Sequence, residues 1–224
     1  MNIDTNKVVV ITIDGPSGAG KGTMSQLVAR HLKYHLLDSG ALYRLVALSA
    51  HKLNSNLKDE DAIADIASSL QVKFDVDGES TRILLAGEDV TQAIRDESVS
   101  MSASVVATYP NVRTALLQRQ RDFAQAPGLV ADGRDMGTTV FPNAHVKIFL
   151  TASAEARAER RYKQLVQKGI EVDMAELVRD IKARDDRDTQ RETSPLKPAA
   201  DALVLDSTLM TIDQVLNAIL NTVR

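Results

Sequence analysis

Residues 8–23 read Val-Val-Val-Ile-Thr-Ile-Asp-Gly-Pro-Ser-Gly-Ala-Gly-Lys-Gly-Thr, and this order of residue types decides the fold. Val8 to Ile13 is a β-branched run of the kind found in strands buried on both faces of a parallel sheet. Asp14-Gly15-Pro16 ends it. Beyond the loop, Met24, Leu27, Val28, His31 and Leu32 recur at i, i+3, i+4, i+7 and i+8, the stripe of an amphipathic helix. The loop between them supplies Gly15, Gly20 and Lys21 of the pattern G-x-x-x-x-G-K-[ST]. Glycines allow the turns that gather successive backbone N–H groups into one concavity for phosphate oxygens. The helix N-terminus adds its positive dipole end and Lys21 adds a mobile full charge. A glycine-rich loop with a surface lysine is the bland alternative, and the strand–loop–helix context speaks against it.

The loop departs from the pattern at Gly22, where a hydroxyl residue is expected; Thr23 follows one place later. Mg²⁺ is therefore expected to be held through water and nucleotide phosphates near Thr23 and Asp132, which suits an ion that dehydrates reluctantly. No direct protein ligand to the metal is assigned.

Moving outward, His35-Leu36-Leu37 reads as a second strand ending at Asp38-Ser39-Gly40, with a helix opening at Ala41. Leu129–Ala131, Val146–Leu150 and Ala202–Leu205 are further buried-strand candidates, each followed by polar or glycine-containing residues and then a helical pattern. Strands alternating with helices predict an α/β layer architecture with right-handed crossovers and a parallel sheet. One stretch breaks the rhythm. Val72, Phe74 and Val76 alternate with Lys73 and Asp75, Asp77-Gly78 follows, and Arg82–Leu85 continues in extended pattern. That is a hairpin signal, and it places an inserted antiparallel subdomain at residues 66–105 within a core of residues 1–65 and 106–224. Thr211-Ile212-Asp213-Gln214 predicts a capping box on the last helix.

Composition narrows the function. The 224 residues carry 27 Lys+Arg against 30 Asp+Glu, are 44% hydrophobic and include no cysteine. One domain with an insertion, or two small domains, fits that length. Without cysteine there is no disulfide framework, thiolate metal site or cysteine nucleophile. A net charge of −3 does not favour a nucleic-acid binder, since phosphate-backbone affinity needs a surplus of Lys/Arg. The apolar runs fall far short of the roughly 20 residues that cross a bilayer, and Met1–Asn6 show no export signal. A cytoplasmic protein that binds neither membrane nor nucleic acid is expected.

Arginines crowd between Arg134 and Arg191 among interleaved acids. These are either a solvated helical face or a set of phosphate clamps. Asp132, Arg134 and Asp135 stand at the carboxyl end of a buried strand, where ligands bind in open parallel sheets. They read as a metal-water and phosphate site, or alternatively as a turn stabilised by Asp side chains. Arg184, Asp188 and Arg191 fall at i, i+4 and i+7 of one helical face, a common surface device. Arg157, Arg160 and Arg161 are either a solvated face or the cationic side of a closing lid at about residues 154–172. His31 and His145 read as packing or capping residues.

GPSGAGKGT at Gly15–Thr23, LLDSGALYR at Leu36–Arg44, ADGRDMGT at Ala131–Thr138, RDDRD at Arg184–Asp188 and ADALVLDST at Ala200–Thr208 together resemble the bacterial cytidylate kinases, colinearly and nearly end to end. The resemblance implies a P-loop kinase with a five-stranded parallel sheet flanked by helices, a small inserted antiparallel β monophosphate-binding subdomain and a lid. It implies phosphoryl transfer from ATP to CMP or dCMP with Mg²⁺. Carried over by position, Gly15, Pro16, Ser17, Gly18, Ala19, Gly20, Lys21, Gly22 and Thr23 would hold the ATP phosphates. Arg44, Arg134 and Arg191 would grip the acceptor phosphate, and Arg184 and Asp188 would bind around the ribose and the transferring group. Ser39 and Tyr43 would line the acceptor pocket, and Ser104, Arg113 and Asp135 would read the cytosine. By the same resemblance Lys21, Arg134, Arg184, Asp188 and Arg191 would form the catalytic set. Cytosine's exocyclic N4–H₂ donor suits a carboxylate such as Asp135, and its O2 and N3 acceptors suit Arg113. A monomer is expected. The competing readings are a kinase for UMP, AMP or dTMP, a P-loop nucleotide switch without acceptor turnover, and a structural or nucleic-acid-binding protein.

Overall fold

A computed structural model describes residues 8–77, 80–167 and 169–223. Gly78, half of the expected Asp77-Gly78 turn, lies outside the described residues. The chain divides into two compact units, Met1–Leu37 with Ala124–Arg224, and Asp38–Phe123.

In the first unit β1 (Val9–Asp14) feeds α1 (Lys21–Leu32), followed by β2 (His35–Asp38). After the second unit come β6 (Gly128–Gly133), β7 (Val146–Thr151), α6 (Ala154–Val166), α7 (Met174–Gln190), β8 (Leu203–Asp206) and α8 (Ile212–Thr222). The strands form the five-stranded sheet expected, in the order β2-β6-β1-β7-β8, with β1 parallel to both β6 and β7 and β7 parallel to β8. Central β1 is buried on both faces: Ile11 and Ile13 lie under α1 and α8, and Thr12 on the opposite face meets the chain at Gly137. Ile11, Ile13, Val130, Ile148 and Leu150 pack with Met24 and Val28 of α1 and Val215 and Ile219 of α8. At about 25 cal/mol per Å² of apolar surface removed from water, this layer is the main stabiliser of the unit. The capping box is present: the Thr211 hydroxyl accepts from the Gln214 amide at 3.2 Å while Gln214 Oε1 accepts from the Thr211 amide at 2.9 Å. His145 is exposed and not packed, but its Nδ1 accepts the Val10 N–H at 3.2 Å, and His31 is exposed as well.

The second unit holds α2 (Ser39–Lys52), α3 (Glu60–Ser69), β3 (Val72–Asp77), β4 (Ser80–Leu85), β5 (Glu88–Asp89), α4 (Glu97–Val106) and α5 (Pro110–Arg121). Helix α2 starts two residues before the expected Ala41. The Asp38 carboxylate accepts the Ala41 N–H at 2.8 Å, which satisfies one of the open amides of the first turn and lets Ser39 and Gly40 be helical. The hairpin forms as expected, β3 pairing antiparallel with β4 from Val72↔Leu85 to Asp77↔Ser80, and β5 adds a short third strand. That sheet lies within residues 66–105. Helix α2 packs on α4 and α3 on α5, burying Leu42, Leu45, Ile63 and Leu116 completely.

Candidate active site

The cradle forms where β1 meets α1. Gly15 has no room for a side chain: a Cβ there would stand 1.9 Å from the Leu150 carbonyl oxygen of β7. Gly20 caps α1 at φ 95°, a left-handed conformation that glycine adopts without steric cost. The first-turn amides of α1 have no intrahelical partners, and Gly22 and Thr23 are exposed, so this end is open to an anion. Lys21 Nζ donates to the Pro16 carbonyl at 2.9 Å, folding the cation over its own loop.

Among the described residues of this unit three carboxylates are buried: Asp14 at the end of β1, Asp132 in β6 and Asp135 just beyond it. A Cβ on Gly22 would lie 3.6 Å from Asp132 Oδ2, so this acid sits against the first turn of α1 where the loop lacks its hydroxyl. Asp14 was not among the expected site residues. Its Oδ1 accepts the Met136 N–H at 2.8 Å and its Oδ2 accepts the Gly137 N–H at 2.7 Å. Burial pushes its carboxyl up to about 6, outweighing the two amide donors that favour the charged form; Asp135 nearby pushes the same way and Lys21 opposes.

Arg134, Arg157, Arg160 and Arg191 hold partners within this unit. Arg134 Nε donates to Asp188 Oδ2 at 2.5 Å. Arg191 Nε donates to the Ser194 carbonyl at 2.7 Å, and it stands just beyond α7, which ends at Gln190. Arg184 and Asp188 are within that helix, so the expected common face is cut short before its third member. Arg157 is buried: its guanidinium donates to Asp185 through two nitrogens and to the Ser17 carbonyl at 3.0 Å, while Nε donates to the Ala152 carbonyl at 2.9 Å. Arg160 donates to the Ser207 carbonyl at 2.7 Å and to the Ala19 carbonyl at 3.4 Å. Two of the three expected lid arginines thus hold carbonyls of the phosphate loop, and Arg161 is exposed. Ser207, also unanticipated, is buried and donates to the Thr151 carbonyl at 3.0 Å, behind the loop.

Five expected residues belong to the second unit. The Ser39 hydroxyl donates to Gln120 Oε1 at 2.7 Å. The Arg113 guanidinium lies over the Tyr43 ring, 5.7 Å from its centroid, a cation–π contact, and also donates to the Ala107 carbonyl at 3.2 Å. Arg44 pairs with Asp38 at 2.9 Å, with its Nε buried and without a hydrogen-bond partner. Ser104 donates back to the Ser100 carbonyl at 3.1 Å.

Among the described residues no group of three His, Cys, Asp or Glu side chains is arranged to hold a metal ion. A single carboxylate, Asp132, beside the open first turn of α1 fits Mg²⁺, which keeps several waters and takes one or two carboxylates together with substrate phosphates.

A parallel sheet whose central strand runs into this cradle defines a nucleotide-phosphate-binding α/β protein of the P-loop class. The model of the family described as cytidylate kinase matches residues 11–224. The cytidylate kinase of Aeromonas hydrophila is 59% identical over 94% of this chain and 92% of its own length. That of Stutzerimonas stutzeri is 58% identical over 96% and 95%, and that of Shewanella denitrificans 54% over 98% and 98%. The chain belongs to the cytidylate kinase family. A solved shikimate kinase from Bacteroides thetaiotaomicron is similar at 13% identity over 95% of each chain, with a TM-score of 0.47, too loose a likeness to argue from.

Proposed function

We propose that this protein transfers the γ-phosphoryl group of ATP to CMP and dCMP, giving ADP and CDP or dCDP. An oxygen of the acceptor phosphate attacks the γ-phosphorus in line, the bond to the β–γ bridging oxygen breaks, and ADP departs without a phosphoenzyme. The acceptor phosphate is already largely ionised at neutral pH, so no strong general base is needed. Positioning and charge neutralisation carry the chemistry. The loop from Gly15 to Thr23 holds the ATP phosphates, with Lys21 unfolding from Pro16 to reach them. Arg134, Arg184, Asp188 and Arg191 serve the transferring group, and Arg44 joins Arg134 and Arg191 on the acceptor phosphate. Ser39 and Tyr43 line the acceptor pocket, while Ser104, Arg113 and Asp135 read the base. Arg157, Arg160 and Arg161 belong to a lid at about residues 154–172. Mg²⁺, held through phosphates and water near Thr23 and Asp132, would supply charge neutralisation on the phosphate oxygens. Residues 66–105 act as the monophosphate-binding insertion in the kinase core, and the protein works as a cytoplasmic monomer. No helix among the described residues is long and apolar enough to cross a membrane.

The observation that carries this reading is the cradle: a buried strand, a left-handed glycine cap and Lys21 opening α1, in a chain of the cytidylate kinase family. The test is an ADP-release assay with CMP, dCMP, UMP and AMP at equal concentration. Turnover with the two cytidylates far above the other two is expected; equal turnover with UMP or AMP, or ATP hydrolysis indifferent to acceptor, would overturn it.

A further inference from the structure

The acceptor-side residues Arg134 and Asp135 lie on a short stretch of chain that must stand still relative to the phosphate loop, and the structure shows what stops it moving. β1 and β6 run in register to their ends, with Asp14 opposite Gly133. The chain leaves β6 there, passes Arg134 and Asp135, and enters a single wide helical turn, Met136–Val140. Thr139 and Val140 amides return to the Asp135 carbonyl at 2.9 and 3.2 Å, so the turn and Asp135 move as one piece. The opening amides of that turn, Met136 and Gly137, are both taken by the one carboxylate of Asp14.

We infer that Asp14 is a positioning residue: its carboxylate clamps the Met136–Val140 turn to the strand that carries the phosphate loop, and so fixes where Arg134 and Asp135 stand relative to the donor phosphates. The inference rests on the reading of those two residues as acceptor-binding groups. Three observations support it. Both carboxylate oxygens are used on consecutive amides, a geometry an asparagine cannot copy, because its –NH₂ would confront an N–H donor. The contact is buried and tightly seated: a Cβ on Gly137 would stand 2.9 Å from Thr12 Oγ1, and one on Gly133 would stand 2.8 Å from Met136 Cγ. Keeping a charged group in this place is costly, since burial raises its pKa to about 6, whereas an apolar contact would hold the turn without desolvating an acid. The carboxylate's return is directional: it fixes two amides, and with them the two residues just upstream. Asp14 touches neither substrate in this scheme. It acts through the turn.

The test compares wild type with Asp14→Asn, at a temperature well below the variant's unfolding midpoint. The KM for CMP should rise at least about tenfold, as expected when a group is misplaced by a fraction of an ångström to an ångström, while the KM for ATP stays within about threefold. An unchanged KM for CMP, or an equal rise for both substrates, overturns the inference; the latter would assign Asp14 to the donor loop. Amide hydrogen exchange gives an arm that does not depend on the substrate. In Asp14→Asn the Met136 and Gly137 amides should lose protection while those of Ile11 and Ile13 keep theirs, and equal protection in the two proteins overturns the clamp whatever the acceptor proves to be. Wild-type turnover with CMP separately tests the substrate assignment. Should Asp14→Asn fail to fold, Gly137→Ala lifts the same turn from the other side. It should raise the KM for CMP, and adding Thr12→Ala, which removes the obstructing hydroxyl, should bring it back towards wild type. A folded Gly137→Ala protein with wild-type KM for CMP overturns the claim that this seat controls the acceptor.

Discussion

Arg134 and Asp188, 54 residues apart, are joined by a 2.5 Å hydrogen bond from Nε to Oδ2, tying the end of β6 to the last turn of α7. Both side chains are mostly shielded, at 21% and 15% exposure, so the carboxylate holds the guanidinium in one orientation, and in the proposed reaction the terminal nitrogens would serve a phosphate. Removing a donor to the transferring group typically costs a factor of about 10²–10³, and that loss in kcat/KM for CMP is expected for Arg134→Ala. Asp188→Ala should cost about tenfold, by freeing Arg134. The double variant should then resemble Arg134→Ala alone, with a coupling energy of about 1.4 kcal/mol, the whole of the tenfold Asp188 effect. Steady-state kinetics on the three variants check this, and strict additivity would separate the two roles.

Arg157 predicts a different kind of loss. Its side chain is 4% exposed and that of Asp185 25%, and it also satisfies the carbonyls of Ser17 and Ala152. Arg157→Ala leaves an acid and two carbonyls short of donors. Breaking a buried pair from one side costs about 3–5 kcal/mol, and the partial exposure of Asp185 puts the expected loss near the lower end. Urea unfolding of the variant measures it. Arg157→Ala with Asp185→Ala should recover part of the loss, because no carboxylate is then stranded. A KM for ATP that moves while the unfolding midpoint does not would show that the side chain serves the nucleotide rather than the loop.

Asp14 gives a pH dependence whose sign follows from its environment. Its folded-state carboxyl is raised from 3.8 to about 6, chiefly by burial, with Asp135 adding to the rise and Lys21 and the two amides opposing it. A raised acid contributes stability below its unfolded value that is lost as pH climbs through the folded one. At 1.36 kcal/mol per unit the contribution is on the order of 3 kcal/mol between pH 4 and pH 7. Wild type should therefore lose stability relative to Asp14→Asn as pH rises from 4 to 6 and hold a constant difference above 7. Thermal midpoints of both proteins across that range test it, and parallel curves would mean that Asp14 titrates in the ordinary carboxylate range.

The parts of this molecule that were legible in its sequence are the ones written in local pattern. The run Val9–Ile13, the glycines after it and the stripe on α1 each follow from neighbouring residues, as do the β3–β4 hairpin and the Thr211 capping box. Helix α2 starts earlier than its apolar pattern suggests because a cap, Asp38, precedes the pattern. What stayed hidden is non-local. Asp14 reads as an acid closing a strand, and its partners lie 122 and 123 residues away. Arg157 sits in Ala-Glu-Ala-Arg-Ala-Glu-Arg-Arg, which has the composition of a solvated helix face; only the approach of Gly18, where a Cβ would stand 3.4 Å from the Arg157 Cβ, and of Asp185 encloses it. Arg134 and Asp188 each had a role from resemblance, but nothing in the chain's order pairs them.

Base choice is the remaining property that one side chain should control. Cytosine presents an amino donor at position 4 and an unprotonated N3, whereas uracil presents a carbonyl at position 4 and a protonated N3, so a carboxylate that accepts from N4–H₂ meets a lone pair in UMP. A buried polar group left without its partner makes such a site reject the wrong base more strongly than a missing methyl would. Asp135 is buried, and its main-chain carbonyl accepts the Thr139 and Val140 amides that close the turn, contacts that Asp135→Ala retains. The ratio of kcat/KM for CMP over UMP should fall by about 10–100-fold, the worth of roughly 1–3 kcal/mol of base discrimination. Asp135→Asn should bring the ratio closer still to one, since an amide can accept from cytosine or turn its –NH₂ towards the uracil carbonyl. Wild-type selectivity in both variants would take Asp135 out of base recognition and leave that task to Arg113 and Ser104.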